Sequence, residues 1–152
     1  MRAIARRAAI PVRDPWLWAA LLAAPLYWAI LYALTRPALD LDWPLAHVAP
    51  FLLPALVYPV LEEIVFRGLI QEALARRLRR RLPGPVSPAN LITSLLFTAL
   101  HFLNHAPLAA AAVFVPSLIF GWFKDRHGSL GAPILLHVFY NAGYLWLFAA
   151  PA

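Results

Sequence analysis

The chain of 152 residues contains no cysteine and only 6 glycines, and just 13% of it is charged. Without cysteine there is no disulfide, no thiolate metal site and no cysteine nucleophile. Ordinary globular domains are about 25% charged and roughly 45–50% apolar, whereas 62% of this chain is hydrophobic. A soluble domain of this size coats its surface with polar side chains, and here there are too few to do so. Acid is scarcer than base: 7 Asp and Glu stand against 13 Lys and Arg, a net charge of +6. Such an excess can serve nucleic acid, but these arginines sit in short clusters between long apolar runs, as at the cytoplasmic ends of membrane proteins. The composition predicts an all-α polytopic bundle of transmembrane helices in a lipid bilayer, with no nucleic-acid partner.

Residues 15–34 carry no charge and would span about 30 Å as a helix, enough to cross the hydrocarbon core. Arg2, Arg6, Arg7 and Arg13 precede them. The apolar part of a secretory signal would be only roughly 7–15 residues long, so a retained helix is predicted. Residues 36–43, with Pro37, Asp40 and Asp42, read as a short polar loop. Pro50, Pro54 and Pro59 then predict an irregular lead-in and a firmer helix from about Tyr58 to Leu78. Arg76, Arg77, Arg79, Arg80 and Arg81 close it, and Pro83-Gly84-Pro85 marks a turn. Further segments are predicted at 90–103, 107–123 and 130–149, making about five spans. With the N-terminus cytoplasmic, the basic clusters at 2–13, 76–81 and 124–126 all fall on the cytoplasmic side, and only Arg36 lies opposite. Trp16, Trp18, Trp43, Trp122 and Trp146 fall near span ends. The expected localisation is the plasma (inner) membrane, as a multi-pass protein.

Ionisable residues at bilayer depth cost roughly 2.5–3.5 kcal/mol on insertion scales and need a partner or a purpose. Glu63 and Arg67 are one helical turn apart in the favourable order for an ion pair. Glu62 points about 100° away from Glu63 on a helix, with no local cation, which makes it a candidate general base. Asn90, Ser94, Phe97, His101 and Asn104 step by four, three, four and three along one face, predicting a wet internal cavity. His137 and Asn141 share another face; they suit either the stabilisation of a developing oxyanion or an interhelical hydrogen bond. His47, His105 and His127 fall at span ends or in loops and are assigned no role. At 1.5 Å per residue, Glu62, His101 and Asn141 lie about 18–21 Å from the cytoplasmic boundaries, a common level toward the far side.

Glu62-Glu63-x-x-x-Arg67, Phe97-x-x-x-His101 and His137-x-x-x-Asn141 stand in this order, and through them residues 58–145 resemble the CPBP intramembrane proteases. That group contains the type II CAAX prenyl endopeptidases (Rce1-like) and the bacterial Abi proteins. The lead-in Gly128-Ser129-Leu130 and Pro133-Ile134-Leu135-Leu136-His137 is also similar. The resemblance implies a protease core at 55–149, preceded by N-terminal spans at 15–54 and a basic cytoplasmic terminus at 1–14. It implies an endopeptidase that hydrolyses a peptide bond in a membrane-anchored protein or peptide, either of CAAX type or in a C-terminal sorting tail. In that reading Glu62 activates water with help from His101, and His137 and Asn141 hold the oxyanion. Glu63 pairs with Arg67 and can also touch the water, and Phe97 supports the site. No cofactor is implied. Glu62, His101 and His137 could alternatively form a zinc set, although no His-Glu-x-x-His element is present. A non-catalytic immunity or partner-binding protein of the same fold is the competing class. A small transporter is disfavoured by the absence of repeat symmetry.

Overall fold

Asp14 starts the first helix. Its Oδ1 accepts the Trp16 N–H at 3.0 Å, and Pro15 occupies the first helical position, where a missing N–H costs nothing. In the computed structural model, which describes residues 10–78 and 85–148, the elements that follow are all helices. They are α1 Pro15–Thr35, α2 Trp43–Ala46, α3 Val48–Arg77, α4 Pro88–His101, α5 Pro107–His127 and α6 Gly131–Phe148. Arg2, Arg6, Arg7, Arg79, Arg80, Arg81, the Pro83-Gly84 part of the turn and Ala149 lie outside the described residues.

All five predicted apolar segments are helical, with shifted ends. Among the described residues α1, α3 and α5 are long and apolar enough to cross a membrane. Helix α4 has 14 residues, about 21 Å of rise, and α6 has 18, about 27 Å. The segment predicted at 90–103 starts at Pro88 and stops at His101, two residues early. The expected irregularity before Tyr58 is present in α3, but the prolines widen the helix rather than break it. The helix runs from Val48 through Pro50, Pro54 and Pro59 by widening into a π-helical turn at Leu53–Val57. There the Tyr58 N–H donates to the Leu53 carbonyl, five residues back. A second π-helical stretch, Ile64–Gln71, follows Glu63. Such widened turns occur frequently at functional sites.

The packing is inverted relative to a soluble protein. Leu22, Leu26, Leu34 and Leu69 are exposed, whereas Glu63, Arg67, Gln71, Asn90, Thr93, Ser94 and Ser117 are buried. Lipid satisfies the outer leucines, and the polar groups must find partners inside the bundle. Gln71 donates to the Gly121 carbonyl at 2.9 Å and to Asp125 Oδ1 at 2.7 Å. Ser87 donates to Asp125 Oδ2 at 2.6 Å, the Asn90 amide to the Leu118 carbonyl at 2.9 Å, and Ser94 to Asn90 Oδ1 at 3.0 Å. Gly121 permits this close approach, because a Cβ there would overlap the Asn90 amide. The first helix docks on the last in a similar way. Trp28 fills the space beside Gly143, which has no side chain, and the Tyr140 hydroxyl donates to the Ala20 carbonyl at 2.8 Å.

Charged contacts gather three helix ends together. Glu72 near the end of α3 meets Arg76 at 2.6 Å and Lys124 of α5 at 3.4 Å. Asp14 Oδ2 meets Arg126 Nε at 2.7 Å and His127 Nε2 at 2.8 Å. Burial pushes the Asp14 carboxyl up, but hydrogen bonds from Arg126, the Trp16 N–H and His127 outweigh it and hold the group below its ordinary 3.8. The described basic residues of the three clusters thus share one end of the bundle, as one-sided topology requires. A reporter fused after Pro85 is expected to score as cytoplasmic, and one fused after Leu39 as non-cytoplasmic. The opposite pattern would invert the orientation.

Candidate active site

The second π-helical stretch carries Arg67 into the centre of the bundle, where its side chain is fully buried. Its Nε lies 3.3 Å from Glu63 Oε2, an ion contact without directed hydrogen-bond geometry. Its Nη2 donates to the Ser117 carbonyl at 2.9 Å and to the Ser117 hydroxyl at 2.8 Å. Nη1 has no hydrogen-bond partner among the described residues. Aromatic faces cover the cation instead: Cζ stands 5.0 Å from the Phe97 ring centre and 5.8 Å from that of Phe120. The Glu63–Arg67 pair expected from the sequence is therefore formed, and it is anchored to α5.

His137 of α6 joins this pair. Its Nδ1 lies 2.9 Å from Glu63 Oε1, and its Nε2 lies 3.5 Å from Glu62 Oε2. One imidazole thus reaches both carboxylates, although they lie on different faces of α3. Glu62 has no cation close to it in the sequence, and the imidazole that approaches it comes from α6. Phe97 and Phe120 flank the His137 ring, with centres at 5.8 Å and 5.0 Å.

Glu62 differs from Glu63 in exposure: its side chain is 34% exposed, while that of Glu63 is fully buried. It lines a cleft of about 170 Å³ together with Phe66, Phe97, Leu100, His101, Asn104 and His105. That volume holds several waters. Nδ1 of His101 lies 2.9 Å from the Phe97 carbonyl, an acceptor, so the proton is on Nδ1 and a neutral ring keeps Nε2 unprotonated. The cleft therefore brings together a partly exposed carboxylate and an imidazole with an available lone pair.

The polar stripe on α4 divides. Asn90 and Ser94 belong to the dry network against α5, and only Phe97, His101 and Asn104 line the cleft. The spacing was right about the face, but α5 covers its first two turns. Asn141 does not line the cleft either; its amide donates to the Pro54 carbonyl at 3.1 Å. The cause is local. The Tyr58 N–H goes to Leu53, and Pro59 has no N–H, so the Pro54 carbonyl loses its partners within the helix. Asn141 satisfies it across the interface. The interhelical hydrogen bond is thus the contact observed for Asn141, and His137 contacts the two carboxylates.

Sequence reasoning missed His105, Ser117 and Phe120. His105 was legible, since it continues the stripe one turn beyond His101. Ser117 and Phe120 carried no signal, being one hydroxyl and one ring in the apolar part of α5. Among the described residues no group of three His, Asp or Glu is placed to hold a metal ion.

A family model described as Type II CAAX prenyl endopeptidase Rce1-like matches residues 43–143, about two thirds of the chain. Comparison with curated proteins and with solved structures gives no match.

Proposed function

The chain belongs to the Rce1-like family of type II CAAX prenyl endopeptidases, and on that premise we propose that it is an intramembrane endopeptidase using a glutamate-activated water on a membrane-anchored protein. The supporting observation is the contrast between the two adjacent carboxylates: Glu63 is buried against Arg67, and Glu62 lines the cleft opposite His101. A water between Glu62 and His101 would lose a proton to this pair as its oxygen attacks the scissile carbonyl carbon. The same proton would pass to the amide nitrogen as the C–N bond breaks, leaving a carboxylic acid and an amine, which exchange the acid proton to become carboxylate and ammonium. His137 holds Glu62 and Glu63 in place, while Asn141, outside the cleft, is held on the Pro54 carbonyl.

The cleft is formed where α4 ends, away from the end that gathers Glu72, Lys124, Asp14 and Arg126. With that end cytoplasmic, the bond cleaved lies toward the non-cytoplasmic surface. This placement suits a C-terminal membrane-sorting tail better than a cytosolic CAAX motif.

The test is cleavage of a tail-anchored reporter by the purified protein in lipid nanodiscs, with fragments identified by mass spectrometry. Because no step uses an ion, activity is expected to be unchanged after chelation. Loss of activity on chelation, restored by zinc, would replace the glutamate mechanism with metal-assisted hydrolysis. Tight binding of the reporter without any cleavage would favour the non-catalytic reading.

A further inference from the structure

Phe97, His101 and His105 follow one another at helical spacing of four, and their rings form one column. The His101 ring stands between the other two. The Phe97 ring centre lies 4.4 Å away at an interplanar angle of 41°, and that of His105 lies 5.3 Å away at 17°. We propose that His105 is a positioning residue for His101, the outer half of a ring clamp whose inner half is Phe97. This inference rests on the reading of His101 as a base in the cleft.

His101 is the last residue of α4, and helix ends fray. A base there needs restraint beyond the helix itself. One restraint is the Nδ1 contact with the Phe97 carbonyl at 2.9 Å. Turning the ring over would replace Nδ1 by a carbon and lose that bond, but smaller swings would not. The two flanking rings block those. His105 is itself held although the helix has ended: its N–H donates to the His101 carbonyl at 3.0 Å, beside the Asn104 N–H at 3.2 Å. Its side chain also lines the cleft, yet the residue is exposed, so replacing it removes little buried contact. The clamp leaves Nε2 as the free edge of the His101 imidazole.

Misplacing a reacting group by about 1 Å can cost on the order of 100-fold in rate. His105→Ala is therefore expected to lower kcat about 10- to 100-fold per folded molecule, with KM and membrane abundance unchanged. His105→Phe restores a flat ring and should recover most of the rate, whereas His105→Gln, without a ring, should not. Full kcat in both His105→Ala and His105→Gln would overturn the clamp. So would a fall in KM-dependent binding alone, or a folded His105→Phe as slow as His105→Gln. His101→Ala separates this inference from the reading beneath it. If His101→Ala remains active, the base assignment fails; if it is inactive while His105→Ala is normal, only the clamp fails.

Discussion

Glu62→Gln is expected to accumulate in the membrane like the parent protein and to cleave its substrate about 10²–10⁴-fold more slowly. That range is the usual contribution of a positioned general base. Glutamine keeps the shape of the side chain, so its approach to His137 Nε2, now at 3.5 Å, can be retained. What disappears is the group that accepts a proton from water. Glu63→Gln is the informative contrast. Its carboxylate is fully buried against Arg67, so neutralising it leaves a buried cation without its counter-charge and should reduce abundance as well as activity. Cleavage per folded molecule, measured with both variants in nanodiscs, separates the two carboxylates. Near-parental processing by Glu62→Gln would remove Glu62 from the chemistry.

Arg67→Ala should have the largest effect on the protein itself. Removing one partner of a buried ion pair typically costs about 3–5 kcal/mol. Here the loss also removes the two hydrogen bonds from Arg67 to Ser117 and empties the space between Phe97 and Phe120. The expected result is severe loss of membrane abundance and a lower unfolding midpoint in detergent. Replacing both partners, as in Glu63→Leu with Arg67→Met, should recover part of the abundance without the activity, because no unpaired charge remains in the core. A stable, abundant Arg67→Ala protein would show that the pair does not hold the bundle together.

The helical segments and the Glu63–Arg67 pair were legible in the sequence because both depend on local rules, namely the length of an apolar run and the four-residue step. The failures have equally definite causes. Three prolines in α3 predict disruption under an i→i−4 pattern, but a π-helical turn shifts the Tyr58 N–H to Leu53 and carries the chain onward. Placing Glu62 and Glu63 on different helix faces suggested separate environments, yet the two nitrogens of His137 meet both. Nothing in the local pattern shows that partner, because it comes from a helix packed against α3. The stripe on α4 likewise identified a polar face but not the depth at which α5 covers it. Asn141 was recognised as polar and inward; its acceptor depended on the missing N–H of Pro59, far away in the chain.

The separation of contacting residues also sets an order of events during synthesis. Glu63 and Arg67 lie on one helix and can pair as soon as it forms, so α3 can enter the bilayer with its central charges matched. His137 follows Glu63 by 74 residues, a delay of roughly 4–15 s at about 5–20 residues per second. Arg126 follows Asp14 by 112 residues, so the first helix waits still longer for its fastening. A nascent chain therefore holds Glu62 within the membrane well before the imidazole that orients it has been made. The contacts that join both carboxylates to α6 therefore form only once α6 has been made.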